Sequence, residues 1–133
     1  MENCIFCMII DGKIPSRRVY EDENCIAMLD INPAAPGHTL ILPREHRKDV
    51  TEMDEELLGK LMVVAAKIGT IQKERLGAAG FNIIQNNGEA AGQTVPHFHI
   101  HVIPRYEGGP MLGGWVPTEP SAEELDETLA KML

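Results

Sequence analysis

Residues 97–103 read His97-Phe98-His99-Ile100-His101-Val102-Ile103. In an extended strand successive side chains point to opposite faces, so the three histidines share one face and Phe98, Ile100 and Val102 the other. Neighbouring imidazoles on that face stand roughly 6.5–7 Å apart, at about 3.3 Å of rise per residue. A metal held about 2.0–2.1 Å from each nitrogen bridges such a pair only with help from ring orientation and twist. A phosphate, with several oxygens to offer, meets two of them more easily. The apolar face fixes the register, because a slip of one residue would drive all three imidazoles into the core. A lone histidine here would read as an ordinary satisfied polar residue; a solubilising or metal-scavenging strand is the competing explanation for three.

Two other segments carry potential chemistry. The loop Gly88-Glu89-Ala90-Ala91-Gly92-Gln93-Thr94-Val95 has small residues that let backbone N–H groups approach an anion, and Gln93 and Thr94 add side-chain donors. Most glycine-rich loops simply turn, so this one matters only beside the histidines. Cys4-x-x-Cys7 has the spacing of half a zinc knuckle. A redox pair, or two small buried residues, fits the same spacing.

The elements that must position these groups are legible in outline. Residues 1–12 suggest a short helical turn ending at Asp11-Gly12. Arg18–Asp22 and Cys25–Ile31 read as strands joined by Asp22-Glu23-Asn24. Asn32 to Gly37 is a loop, with Pro33 and Pro36 restricting their neighbours. His38–Leu42 is a third strand, ended by Pro43. Thr51 to Asp54 resembles a capping box, behind which Leu57, Leu61, Val64, Ile68 and Ile71 recur at helical spacing until Leu76-Gly77. Gly80–Gln85 and His97–Ile103 are the fourth and fifth strands, the latter halted by Pro104. A last helix starts at Ser121, with Glu124 as its capping-box partner and Leu125, Leu129 and Met132 on one face. One long helix on a mostly antiparallel sheet of about five strands makes the class α+β.

Size and charge narrow the partners. The chain has 133 residues, suited to one domain whose core needs no disulfide. Twelve Lys and Arg against twenty Asp and Glu leave a formal net charge of −8, which disfavours nucleic-acid backbones and anionic membrane surfaces. No apolar run approaches the length of a membrane span, and Met1-Glu2-Asn3-Cys4 lacks the basic head of a signal peptide. Three cysteines, an odd number, point to a reducing compartment. The expectation is a cytoplasmic protein, with Cys25 a buried small residue.

The pattern His97-x-His99-x-His101 followed by two apolar residues resembles the signature of the histidine-triad (HIT) family. Pro36-Gly37-His38-Thr39-Leu40-Ile41-Leu42-Pro43, Gly92-Gln93-Thr94-Val95, and Cys4-Ile5-Phe6-Cys7 with Ile14-Pro15-Ser16 after it resemble the family's other segments. The likeness runs from about Cys4 to Arg105, within a single HIT domain of residues 1–133 whose tail, 106–133, completes the site. It implies a homodimer in which two sheets join, binding a purine nucleoside monophosphate or its activated derivatives. His99 would attack the α-phosphorus and form a nucleotidyl-histidine that water then cleaves. His101, Asn86, Gln93 and Thr94 would contact the phosphate or leaving group. Asp30, which otherwise reads as a turn or cap aspartate before Asn32-Pro33, would accept both ribose hydroxyls, and Ile31 would pack on the base. His38 would orient the triad from behind. Some members, and the related galactose-1-phosphate uridylyltransferases, complete a structural Cys₂His₂ zinc site. By position its ligands here would be Cys4, Cys7, His46 and His97; His46 otherwise reads as an exposed loop residue.

Asp30, Asn86 and the loop with Trp115 resemble the Hint-like, adenosine phosphoramidase branch. A dinucleoside polyphosphate hydrolase and a non-catalytic nucleotide-binding sensor or scaffold dimer are the alternatives. Pro96, where some members have Tyr or Lys, and Thr94, often Ser, depart from the family pattern.

Overall fold

The structure, a computed structural model, describes residues 3–133. Its elements run α1 (Ile5–Ile10), β1 (Arg18–Glu21), β2 (Cys25–Leu29), β3 (Thr39–Pro43), α2 (Glu55–Leu76), β4 (Gly80–Gln85), β5 (Ile100–Arg105) and α3 (Ala122–Met132). The five strands form one antiparallel sheet in the order β1-β2-β3-β5-β4. An α+β fold is what the strand and helix patterns anticipated.

The turn joining β1 to β2 forms because the Asp22 carboxylate accepts from the backbone N–H groups of Asn24 and Cys25, at 2.7 and 3.0 Å. On one face of the sheet, Cys25, Ala27, Ile41, Phe98, Ile100 and Val102 pack against Leu61, Val64, Ala65 and Ile68 of α2. On the other, Ile26, Met28, Leu40 and Leu42 pack against Cys4, Phe6, Cys7 and Ile9 from the amino-terminal segment. The sheet is therefore covered on both sides, and β2 and β3 are buried almost throughout.

Several boundaries differ from those expected. The long helix is capped by Asp54, whose side chain accepts from Leu57 N–H, and Gly77 closes it at φ +72°. Thr51 lies instead in a separate 3₁₀ turn, Val50–Glu52, capped by Asp49, because Asp49 also offers a short acceptor at the right offset. β2 stops at Leu29 and β3 starts at Thr39, so Asp30 and His38 bracket the loop between them. β5 runs through Pro104, which pairs opposite Phe81. Its start is later than the histidine pattern implied: His97 and His99 precede the strand. Continuing the β3–β5 register from Ile41↔Ile100 would bring Pro43, which has no N–H, opposite Phe98. Phe98 N–H donates instead to Arg47 O at 2.6 Å. Of the first twelve residues, Met1 and Glu2 lie outside the described residues; the expected helical turn is α1. α3 begins with the anticipated Ser121–Glu124 capping box, and none of its residues is buried. No helix among the described residues is long and apolar enough to cross a membrane.

Gly69 of α2 lies directly under the Phe81 ring, where an added Cβ would overlap ring carbons. Gly69→Ala should therefore cost about 1–3 kcal/mol of stability despite the better helix propensity of Ala. A urea denaturation curve checks this; an unchanged or raised midpoint would contradict the packing described.

Candidate active site and metal corner

The lead-in to β5 is bent rather than extended. His97 N–H donates to Val95 O at 2.8 Å, and His99 Nδ1 lies 2.7 Å from His97 O. A carbonyl only accepts, so the His99 proton sits on Nδ1 and Nε2 keeps its lone pair. Phe6, itself buried, stands edge-on to His99 with ring centroids 5.0 Å apart at 84°. It also contacts His97 edge-on, at 5.9 Å. Nothing in the apolar run around Phe6 had marked it as a wall of the site.

A second chain of hydrogen bonds fixes His101. Ala34 N–H donates to His38 Nδ1 at 3.0 Å. The His38 proton is therefore on Nε2, which faces His101 Nδ1 at 2.9 Å. His101 Nδ1 accepts, and its own proton is on Nε2. The exposed loop residue Ala34 thus sets the tautomer of a triad histidine two rings away, through a backbone group that sequence pattern does not reveal. Burial pushes His101 and His97 down to about 4 and holds His38 and His99 below the usual histidine value. All four rings are neutral near pH 7, the protonation state in which a lone pair is free to attack.

A cavity of about 340 Å³ joins Asp30, Ile31, Thr94, His99 and His101, floored by Ile5 and Phe6. Asp30 Oδ1 accepts from Asn32 N–H at 2.8 Å, and Oδ2 lies 3.6 Å from His38 Nε2. Ile31 is 82% exposed, an apolar surface ready for a planar ring. Asn86 and Gln93 do not line this cavity; Gln93 lines a neighbouring one of about 600 Å³ with Lys48, Gly88, Gly92, Thr94 and Pro96. Gln93 is held on both ends of its amide. Its Oε1 accepts from Gly88 N–H, and its Nε2 donates to Lys48 O and Val95 O, so the side chain braces the loop. Asn86 packs near Gly92, where an added Cβ would come within 3.7 Å of Asn86 Nδ2.

The other side of the lead-in forms a second cluster. Cys4, Cys7, His46 and His97 present one donor atom each, all within 4.8 Å of one another. Cys4 Sγ and Cys7 Sγ lie 3.4 and 3.6 Å from His97 Nδ1, Cys7 Sγ lies 3.4 Å from His46 Nδ1, and the two ring nitrogens are 3.1 Å apart. A tetrahedral ion with metal–sulfur bonds of about 2.3 Å and metal–nitrogen bonds of about 2.0–2.1 Å has donor–donor edges of about 3.3–3.8 Å, close to these distances. The tautomer agrees: His97 Nε2 lies 3.0 Å from Pro43 O, so the proton is there and Nδ1 faces the corner bare. Burial pushes the Cys7 thiol up, so thiolates in this corner call for a cation among them. These residues fit a metal. Asp30, His38 and His101 also cluster. There, however, the proton on His38 Nε2 occupies the position a metal would need, and the group reads as a hydrogen-bond relay.

Comparison with known proteins agrees with this geometry. The chain matches the HIT domain over residues 11–108. It is 51% identical over 106 residues to an uncharacterised HIT-like protein of Methanocaldococcus jannaschii, covering 79% of this chain and 81% of the relative. It is 39% identical over 105 residues to the adenylylsulfatase HINT3 of Arabidopsis thaliana, covering 79% of this chain and 53% of that protein. The crystal structure of a Zn-bound histidine triad family protein from Mycobacterium smegmatis superposes with a TM-score of 0.80 at 38% identity, covering 98% and 96% of the two chains. The chain belongs to the HIT family.

Neutral burial has a consequence for stability. The unfolded chain binds histidine protons near pH 6.5, whereas His38 and His101 in the folded chain do so only at lower pH. Between about pH 6.5 and 4 the unfolded state holds more protons, so stability falls as pH falls. Denaturation midpoints measured across this window should decline, and His101→Gln should flatten the slope. Midpoints independent of pH would contradict neutral burial.

Proposed function

We propose that the protein is a nucleotide hydrolase or transferase of the Hint-like, phosphoramidase type. It cleaves an activated bond at the α-phosphorus of a purine nucleotide through a nucleotidyl-His99 intermediate. The observation that carries this reading is the His99 tautomer: the Nδ1 proton is held on His97 O, leaving an Nε2 lone pair beside a cavity that also holds a carboxylate and Thr94. Asp30 accepts the ribose hydroxyls, Ile31 supports the base, and the Thr94 hydroxyl with the backbone N–H groups of Thr94 and Val95 takes the non-bridging oxygens. Asn86 and Gln93 serve the phosphate pocket by shaping the 88–95 loop. His99 Nε2 forms a bond to phosphorus as the bond to the leaving group breaks and takes its electron pair away. His101 Nε2–H donates a hydrogen bond to the departing atom. It does not surrender the proton, because a neutral imidazole doing so would become an anion in a buried site; solvent protonates the leaving amine. Water then attacks phosphorus and gives its proton to solvent, the bond to His99 breaks with its electron pair returning to Nε2, and the nucleoside monophosphate is released. The name of the Arabidopsis relative, an adenylylsulfatase, supports chemistry at a nucleotide α-phosphorus.

Zinc in the Cys4–Cys7–His46–His97 corner is structural in this reading. Four protein ligands leave no open position, and the ion supplies a cross-link between α1, the loop after β3 and the lead-in to β5. A homodimer is supported by β4, which ends the sheet and has no strand on its outer edge among the described residues. In that assembly the tail, 106–133, closes over the site; Trp115 is 81% exposed in the single chain.

His99→Ala should reduce turnover of an adenosine 5′-phosphoramidate by about 10³-fold or more while nucleotide affinity changes little. Near-normal turnover by that variant ends the proposal. Metal analysis tests the corner separately: the expected content is one zinc per chain, lost in Cys4→Ser and retained in His101→Ala. Loss of metal in the His101 variant would mean that the triad itself holds the ion.

A further inference from the structure

Gln72 faces the core from the last turns of α2 and is 2% exposed. Its Nε2 donates to two backbone carbonyls, Gly37 O at 3.0 Å and Val102 O at 2.9 Å. Gly37 immediately precedes His38, and Val102 immediately follows His101. The β3–β5 ladder begins at Thr39↔Val102, so Gly37 lies outside its registered pairs. The Gln72 amide provides the link there. Its orientation follows from its partners, since a flipped amide would set its oxygen against two carbonyl oxygens. Gln72 Oε1 is then left as the one fully buried side-chain polar atom without a hydrogen bond among the described residues. A leucine would fill the same space without that unfavourable acceptor, so packing alone does not account for a glutamine here.

We infer that Gln72 is a positioning residue for His101. By bridging the Gly37 carbonyl, in the peptide that leads into His38, and the Val102 carbonyl, one residue beyond His101, it keeps His38 Nε2–H on His101 Nδ1, and thereby keeps the His101 proton on Nε2 facing the cavity. A competing acceptor lies close: Asp30 Oδ2 is 3.6 Å from His38 Nε2, against 2.9 Å for His101 Nδ1. A carboxylate is the stronger acceptor. Without the clamp, the Gly37–His38 segment is freer to shift against β5, His38 Nε2–H turns to Asp30, and His101 loses the partner that selects its tautomer. Tyr106 O–H donates to Pro36 O at 2.6 Å from the outer side, Thr39 Oγ1–H donates to the same Gly37 O at 2.8 Å, and His38 is tied through its backbone to Ala35 O and Asp30 N–H; Gln72 adds the tie from Gly37 across to β5.

The catalytic consequence rests on the proposed His99 chemistry, whereas the tautomer consequence does not. Both are read in the full-length protein with Gln72→Met, which keeps the length and loses the donor, and Gln72→Glu, which restores one donor while its carboxyl is protonated. Imidazole ¹⁵N shifts of wild type should show His101 as a single Nε2–H tautomer, becoming a mixture in Gln72→Met and reverting in Gln72→Glu. For an adenosine 5′-phosphoramidate, kcat of Gln72→Met should fall about 10-fold with KM within about twofold. An unchanged His101 tautomer in Gln72→Met overturns the inference, as does a lower melting temperature with kcat and tautomer intact. If Gln72→Met does not fold, Gln72→Glu alone decides: its His101 tautomer should be lost as pH rises and the carboxyl ionises, and a flat response overturns the inference. A wild-type protein that binds nucleotide without turnover removes the His99 chemistry, and the ¹⁵N readout still decides the role of Gln72.

Discussion

The hydrogen bond from His99 Nδ1–H to the backbone carbonyl of His97 is the contact on which the site depends. It joins residues two apart, an arrangement available only because this segment leaves the β ladder. Pro43, with no N–H, stands where Phe98 would otherwise pair, and the Phe98 N–H turns away to Arg47 O. Freed from strand pairing, the His97 carbonyl becomes the fixed acceptor that leaves His99 with a lone pair on the nitrogen it presents to the cavity.

His97 is held at three atoms. Its Nε2–H donates to Pro43 O, its Nδ1 faces the two cysteines and His46, and its carbonyl accepts from His99 Nδ1–H. The metal corner and the candidate nucleophile are thus two ends of one residue, with Phe6 packed edge-on to both rings. His38 and His101 form a parallel chain on the other side, ordered by the Ala34 N–H. In each chain an obligate donor or acceptor of the backbone orients a buried ring, which is how neutral imidazoles avoid unpaired nitrogens in a poorly solvated place.

Much of this was legible in one dimension. The alternation of histidines with Phe98, Ile100 and Val102 identified the core face of the last strand, and all three apolar residues are buried against α2. The periodicity from Leu57 to Leu76, the Gly77 stop, the Asp22 turn and the Ser121 cap each became the element expected, because each depends on local geometry. Asp30, Ile31, Thr94, His99 and His101 do share one cavity, and Cys4, Cys7, His46 and His97 do converge. Gln93 was not legible in the same way, because a glutamine in a glycine-rich loop has the same appearance whether it reaches a ligand or braces the loop. Only its three actual partners distinguish the two.

Residue type and spacing by themselves determined the α+β class, the pairing of faces and the set of side chains available for chemistry, since these follow from strand and helix periods and from turn residues acting over a few positions. The tertiary structure decided where the protons are. His99, His101 and His97 are chemically identical in the sequence. They become a ring with a free lone pair, a ring with a free N–H and a ring whose bare nitrogen faces two cysteines because a carbonyl or N–H from 2, 63 or 54 positions away reaches one ring nitrogen and not the other. Such a choice is made by distances of about 3 Å between chain segments, which no local pattern encodes.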